Sequence, residues 1–231
     1  MTTFALTLGP TWYWYFTRGT GIVALLLLTA IMVLGILGPL RVSSPRWPRF
    51  AVETLHRDLS LLAILVIIAH VLTTVLDGYA PISVINAIVP FDSTYRTLWL
   101  GLGTVAFDLM LALVITSLLR RRIGHGTWRF IHWLAYASWP IAVLHGIGTG
   151  SDAAAWWSVA LTAICVLAVA GAGTIRVGRA IGLAGGWRTT AVIATIAIPV
   201  AAAVFTIVGP LAPRWASRAG TPQDLMSGSD K

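Results

Sequence analysis

Long apolar stretches alternate with short polar segments along the whole chain, and six of these stretches are long enough to span a membrane. A helix of about 20 apolar residues crosses a hydrocarbon core about 30 Å thick. The predicted spans are Gly19 to Leu40, Leu59 to Leu76, Thr97 to Leu119, Phe130 to Ser151, Ala153 to Ile175 and Thr189 to Pro213. The pattern therefore predicts an all-α integral membrane protein, a six-transmembrane-helix bundle over residues 19–213.

The two ends of the chain differ from this pattern. Residues 1–18 contain Trp12, Tyr13, Trp14 and Tyr15, which are typical of an aromatic belt at a membrane interface. They lack the basic start of a signal peptide, so we expect the first span to be retained. Residues 214–231 are rich in Gly, Pro and Ser and predict a polar, disordered tail.

The longest connection within the bundle joins the second and third spans. It runs from Asp77 to Arg96 and includes Gly78, Pro81 and Pro90 around a short apolar run. Apolar residues in such a segment favour a position on the membrane surface. We expect this connection to lie on, or dip into, the outer face.

Composition and charge support the membrane interpretation. Hydrophobic residues make up 57% of the chain and charged residues only 10%, against about 25% charged in a soluble domain. The net charge of +8 comes from 16 basic residues, mostly Arg. They cluster on alternate loops: Arg41, Arg46, Arg49 and Arg57; Arg120, Arg121, Arg122 and Arg129; and Arg176, Arg179 and Arg188. The positive-inside bias therefore predicts that both termini lie outside a bacterial plasma membrane, and the charge indicates orientation rather than a nucleic-acid partner.

Four of the five histidines lie in the second and fourth spans, which cross the membrane in the same direction. His56 and His132 lie at the cytoplasmic entrances of these spans. His70 follows His56 by 14 residues and His145 follows His132 by 13, which places the second histidine of each span roughly 20 Å higher. The fifth, His125, lies in a loop and has no partner at its depth.

Two histidine pairs at two depths favour iron porphyrin over a bare metal ion. A haem iron needs two axial imidazoles on opposite faces, and two parallel helices can supply one each. A zinc or copper site needs three or four converging ligands, commonly with an i, i+4 pair on one helix. The alternative is that the histidines form hydrogen bonds between helices without a cofactor. Because His145 follows His132 by only 13 residues, the two side chains would point to more different faces of their helix than His56 and His70 do. A kink at Pro140 would redirect the upper half of the fourth span and correct this difference.

The residues around these histidines resemble a known family. The run His56-Arg57-Asp58-Leu59-Ser60 opens a span, His70 follows in the same span, and His132 and His145 repeat nearly the same spacing in the fourth. This arrangement is similar to the ferric reductase-like transmembrane domain, a superfamily of ferric reductases, NADPH oxidases and the membrane haem subunit of the bacterial periplasmic methionine sulfoxide reductase. The resemblance implies two b-type haems between helices 2 and 4, with His56 and His132 as one ligand pair and His70 and His145 as the other.

Two departures from the family affect the expected donor. Ferric reductases and NADPH oxidases usually continue into a flavin and NAD(P)H domain, which this chain does not contain. The sulfoxide reductase subunit also lacks that domain and has a first helix resembling Arg18-Gly19-Thr20-Gly21, but it commonly has Arg in place of His56. The resemblance therefore implies a separate electron-donor protein or quinol, with flavin or quinone supplied by a partner.

Four further residues are candidates for supporting roles. Asp108 lies in the middle of the third span, where a carboxylate could relay protons or simply pack in a hydrogen-bonded state. Arg57 and Arg129 are candidates for pairing with haem propionates, and they also serve as orientation charges. Trp139 lies midway between the two levels, where it could bridge two haems or belong to the core.

The leading hypothesis is a di-haem cytochrome b that carries electrons across the membrane as an oxidoreductase component. Ferric iron, oxygen or a periplasmic or extracellular partner would be the acceptor. A second hypothesis is a quinol-oxidising haem b subunit of a periplasmic reductase system. A third, of another class, is a haem-free structural or assembly subunit in contact with membrane lipid.

Overall fold

A computed structural model describes residues 11–40, 49–179 and 185–227, and its regular structure is helical. The helices are α1 (Trp12–Leu37), α2 (Arg49–Leu76), α3 (Thr97–Leu118), α4 (Arg120–Ile123), α5 (His125–His132), α6 (Ala135–Thr149), α7 (Trp156–Arg179), α8 (Gly185–Val208), α9 (Trp215–Arg218) and α10 (Gln223–Ser227). Short 3₁₀ helices occur at Gly38–Leu40 and Ile85–Ala87. The predicted loop positions Arg41 and Arg46, and the end of the tail from residue 228, lie outside the described residues.

Five of the described helices are long and apolar enough to cross a membrane: α1, α2, α3, α7 and α8. They correspond to the predicted first, second, third, fifth and sixth spans. Large apolar side chains on their outward faces, such as Leu65 and Ile164, are exposed, as expected where lipid replaces water as the solvent. These helices confirm an integral membrane protein with an all-helical fold.

Two of these helices begin earlier than predicted. The first helix starts at Trp12, so the aromatic residues assigned to a separate N-terminal segment form the first turn of α1. The second starts at Arg49, well before the predicted Leu59. His56 therefore lies two turns inside α2. Hydropathy underestimates these helices because α1 begins with amphipathic Trp and Tyr residues and the first turns of α2 carry charged residues such as Glu53 and Asp58.

The predicted fourth span is divided into α5 and α6. At the junction, the amides of Trp133 and Leu134 donate to carbonyls three residues earlier, and those of Tyr136 and Ala137 do the same. The helix is thus tightened there into 3₁₀ geometry. The tightening lies in the turn before Pro140, where the proline ring displaces the carbonyl four residues earlier. The sequence predicts a kink at Pro140, and the change in winding lies one turn upstream of that residue.

The C-terminal segment contacts the bundle as far as Thr221 and is helical at Gln223–Ser227, which differs from the prediction of a disordered tail from residue 214. Its α9 places Trp215 against Trp99, with ring centroids 5.6 Å apart. Arg96 is buried and donates to the carbonyl of Gly148 and to Thr221 Oγ1, at 3.0 and 2.9 Å. The polar composition of the segment gives no sign of the contacts made by Trp215 and Arg96, because their partners lie far away in the sequence.

The connection between α2 and α3 folds against α3. Its Asn86 is buried, and the Asn86 carbonyl accepts a hydrogen bond from Thr104 Oγ1 at 2.7 Å. Phe91 packs so closely on Gly101 that a Cβ at that position would lie less than 3.0 Å from its ring. The segment therefore covers one end of the bundle.

The helices pack mainly as antiparallel pairs. Backbone contacts are dense between α1 and α2 and between α3 and α6, and α7 contacts both α8 and α1. Contacts between α2 and α6 are sparse among the described residues. One core cluster joins α1, α6 and α7 and includes Met32, Trp139 and Cys165, and a second joins α1, α2 and α3 around Ala24 and Ile67. The space between α2 and α6 is the place to look for a site.

Candidate cofactor site

The four histidines of α2, α5 and α6 form two pairs with the same separation. His70 and His145 have ring centroids 6.4 Å apart and ring planes at 85°. His56 and His132 also have centroids 6.4 Å apart, with planes at 67°. The pairing predicted from depth therefore agrees with the arrangement of the rings.

This separation suits two axial ligands of one metal. With a metal–nitrogen distance of about 2 Å and a ring centre about 1.1 Å further out, imidazoles on opposite sides of an ion have centroids about 6.2 Å apart. The same distances at a tetrahedral angle would bring the centroids to about 5.1 Å. Among the described residues there is no cluster of three or more His, Cys, Asp or Glu side chains suited to an ion. The donor set of each pair, two imidazoles at this separation, fits a haem held between two histidines.

The His70 and His145 rings are held in a defined tautomer. Nδ1 of His70 lies 2.9 Å from the Thr17 carbonyl, and Nδ1 of His145 lies 2.8 Å from the Trp99 carbonyl. A carbonyl can only accept, so Nδ1 carries the hydrogen in both rings and Nε2 keeps its lone pair. A hydrogen bond of this kind orients a ligating imidazole and increases its basicity.

His56 and His132 lack these bonds. The Nδ1 atoms of both rings are buried and have no hydrogen-bond partner among the described residues. The His56 ring lies beside the Ile31 backbone, but its Nδ1 falls outside hydrogen-bond geometry. His132 is instead stacked on Trp128, with centroids 5.0 Å apart and planes at 27°.

The tightened junction between α5 and α6 explains how the unequal histidine spacings of the two spans can match. Each residue wound at three per turn adds about 20° and about 0.5 Å to an ideal α-helix. Four such residues bring His145 to a rotation of about −60° and a rise of about 21.5 Å from His132, close to the roughly −40° and 21 Å between His56 and His70. The tighter winding at the junction thus compensates for the spacing from His132 to His145, which is one residue shorter than that from His56 to His70.

A cavity of about 310 Å³ lies against the His70–His145 pair. Apolar residues of α1, α2 and α3, among them Ile67, Phe107 and Met110, line its interior. Arg18, Asp77 and Asp152 line it as well, and Arg18 forms an ion pair with Asp152. The exposed fraction of the two histidines borders this cavity, which combines an apolar interior with charged residues.

The supporting candidates lie in different surroundings. Arg57 pairs with Asp58 at 3.1 Å on an exposed surface, and Arg129 is exposed on α5. Asp108 is half-buried on α3 and does not line the cavity. Trp139 is only 3% exposed, and its Nε1 donates to Thr29 Oγ1 at 3.2 Å within the core cluster of α1, α6 and α7. His125 is exposed beside Trp128 and has no histidine opposite it in the described structure.

The backbone partners of the histidines were missed by sequence reasoning. The carbonyls of Thr17 and Trp99 carry no side-chain signal, since every residue has a carbonyl. The ion pair between Arg18 and Asp152 joins residues from distant parts of the sequence. The usable signals in the sequence are Gly21 and Gly103, where the absence of a side chain leaves room for the rings of His70 and His145.

Comparison with known families gives one match. The family model described as "Ferric reductase like transmembrane component" matches residues 20–143, more than half of the chain. The matched region includes His56, His70 and His132 and ends just before His145. Comparison with curated proteins and with solved structures finds no match. The chain therefore belongs to the family of ferric reductase like transmembrane components and is an integral membrane protein.

Proposed function

We propose that this chain is a transmembrane electron-transfer component that holds two b-type haems, one at each histidine pair. The observation that carries the proposal is the equal ring separation of 6.4 Å in both pairs, at the value expected for opposite axial ligands. Membership of the ferric reductase family supports the same conclusion.

The residues of the chain would bind, orient and shield the cofactors. Haem iron, when bound, supplies one-electron redox chemistry. His70 and His145 would hold one haem through Nε2, and His56 and His132 would hold the other. The carbonyls of Thr17 and Trp99 hold their histidine rings at a fixed angle. The apolar residues of the cavity exclude water and set the local dielectric, which tunes the potential.

Several finer features belong to the same proposal. α5 and α6 together form the fourth of six membrane crossings. Both termini lie outside, and the Arg-rich loops lie in the cytoplasm. Arg57 and Arg129 pair with propionates near His56 and His132. Asp108 serves as a proton relay or polar contact in α3, and Trp139 lies between the two haem levels. Electrons enter from a separate donor, because the chain contains no dinucleotide-binding fingerprint.

The decisive experiment is spectroscopic. The chain should be expressed with added haem and purified in detergent, and the reduced-minus-oxidised spectrum and the haem-to-protein ratio measured. We expect b-type bands, two haems per chain and low-spin bis-histidine signals in low-temperature electron paramagnetic resonance. Absence of haem from folded protein would contradict the proposal and favour the structural-subunit hypothesis.

The need for a separate donor is tested on the same preparation. Dithionite should reduce the haems within the mixing time, whereas NADH and NADPH alone should leave them oxidised. Rapid reduction by either nucleotide without a partner would contradict this part of the proposal.

A further inference from the structure

Three of the four paired histidine rings occupy the same kind of notch on a neighbouring helix. The notch consists of a backbone carbonyl and a glycine four residues later. His70 lies against the carbonyl of Thr17, and a Cβ on Gly21 would lie 3.1 Å from its Cε1 and 3.3 Å from its Nδ1. The ring therefore fills the space that a side chain at Gly21 would take.

His145 repeats this arrangement on another helix. Its Nδ1 donates to the carbonyl of Trp99, and a Cβ on Gly103 would lie less than 3.0 Å from both Nδ1 and Cε1. No side chain fits at Gly103 while the imidazole keeps this position.

His56 occupies the third notch, formed by Ile31 and Gly35. Its Cε1 would lie 3.4 Å from a Cβ on Gly35, an ordinary van der Waals contact, and the ring lies beside the Ile31 backbone without a hydrogen bond to it. Gly21 and Gly35 are separated on α1 by the same number of residues as His56 and His70 on the antiparallel α2. The two notches of α1 therefore repeat at the spacing of the two histidines of α2.

The position equivalent to a fourth notch is occupied differently. Ser117 lies as far after Gly103 on α3 as Gly35 lies after Gly21 on α1, and it carries a side chain. Its Oγ accepts a hydrogen bond from Trp128 Nε1 at 3.2 Å, and the Trp128 ring stacks on His132. His132 thus packs on an indole, and its Nδ1 has no partner among the described atoms.

The physical reason for the spacing of four lies in helix geometry. The carbonyl of residue i is hydrogen-bonded along the axis to the amide of residue i+4, and the side chain of residue i+4 flanks the outer side of that carbonyl. Without a Cβ at this position, an imidazole can approach and share the carbonyl as a second donor. Gly is therefore the residue that exposes a helix carbonyl to a ligand from the neighbouring helix.

We propose that Gly21 and Gly103 are positioning residues for His70 and His145, which makes α1 and α3 templates for the orientation of these two imidazoles; Gly35 gives His56 room without fixing its ring. This inference rests on the proposed haem function. Close packing of helices alone would also require small residues, but it would not require an imidazole in each vacated space. The closeness of the contacts ranks the expected effect of a side chain at each glycine: largest at Gly103, smaller at Gly21 and negligible at Gly35, where the contact is an ordinary one.

The test is a series of alanine substitutions in the full chain. Gly103→Ala should lower the haem content to about half of wild type, with loss of the signal assigned to His70 and His145. Gly21→Ala should keep haem but shift the g values of that signal, because the His70 ring must move by a few tenths of an ångström to make room for the new Cβ. Gly35→Ala should resemble wild type. Gly19→Ala, on the same helix as Gly21, is the matched control, since a Cβ at Gly19 would have no described atom within 4 Å.

The outcomes separate this inference from the function on which it rests. Wild-type chain without haem would refute the proposed function. Wild-type chain with two haems, together with Gly103→Ala and Gly21→Ala spectra that match Gly19→Ala, would refute only the positioning role. Should Gly103→Ala fail to fold, the g-value shift of Gly21→Ala decides, and the retained His56–His132 signal reports that a variant is folded.

Discussion

At the scale of single residues, the four paired histidines are chemically equal but differ in restraint. His70 and His145 each donate to a helix carbonyl, whereas Nδ1 of His56 and His132 has no such bond among the described residues. A fixed tautomer and ring angle reduce the reorganisation that ligation requires. We therefore expect the His70–His145 pair to hold its haem more firmly than the other pair.

Replacement of single histidines tests the two-level arrangement. His70→Ala or His145→Ala should remove one haem and leave about half of the total. His56→Ala or His132→Ala should remove the other, because each pair shares one iron. Haem stoichiometry and low-temperature electron paramagnetic resonance on each purified variant provide the measurement.

The control for this series is His125→Ala, which changes an exposed ring with no opposed histidine in the described structure and should leave both haems in place. Loss of the same haem from His70→Ala and His56→Ala would contradict the two levels. Loss of a haem from His125→Ala would show that the ligands were chosen wrongly.

At the scale of elements, the sequence predicts which segments are helical better than it predicts where they bend. Hydropathy identified the segments of α1, α2, α3, α7 and α8, because each has enough apolar residues to cross a membrane. It missed the junction at Trp133 and Leu134, where neither residue disfavours a helix. The tightening there satisfies the spacing of His132 and His145, which is a tertiary requirement. The depth pairing of the histidines was readable from the sequence, but their carbonyl partners were not.

The packing of the C-terminal segment was hidden for a similar reason. Arg96 has a left-handed backbone at φ 43° and is buried, where it contacts both α6 and the segment after α9. A charged residue at the end of a loop suggests exposure, and only the fold shows its partners. Trp215 supports the same region by packing against Trp99, whose carbonyl holds His145.

Replacement of Arg96 measures the strength of this anchor. Arg96→Ala removes two charge-assisted hydrogen bonds and should destabilise the protein by about 3–6 kcal/mol, since such bonds contribute about 1.5–3 kcal/mol each. The melting temperature in detergent should fall by about 6–24 °C. Arg218→Ala, at an exposed position on α9, is the control and should change it by less than about 2 °C. Equal melting temperatures for the two variants would contradict the anchoring role.

At the scale of the whole molecule, the directions of the helices place most of the Arg residues at one end of the bundle. Two contacts show that α1 and α7 are parallel neighbours. Arg18 near the start of α1 pairs with Asp152 before α7, and Arg176 near the end of α7 donates to the Ile36 carbonyl near the end of α1. Arg-rich segments follow α1, α3 and α7 at one end of the bundle. The positive-inside bias predicts that this end faces the cytoplasm.

Cysteine labelling tests this orientation. Single cysteines at positions 41, 121 and 179, in a background with Cys165→Ala, should resist a membrane-impermeant maleimide in intact cells and react after permeabilisation. Cysteine at Asp92, an exposed position on the α2–α3 connection, should react in intact cells. The reverse pattern would invert the topology and the assigned depths together.

The sparse contact between α2 and α6 has a consequence for biogenesis. Besides the α7–α8 pair, the chain contains two helical hairpins, α1–α2 and α3–α6, that contact each other far less than their own helices do. A cofactor ligated from both hairpins would join them, so its insertion should complete folding rather than follow it. Anything that binds only the native state raises its stability by mass action. We therefore expect chain made under haem starvation to melt at a lower temperature and to be cleaved faster by protease, and added haemin to reverse both effects. Equal melting temperatures with and without haem would show that the hairpins assemble unaided.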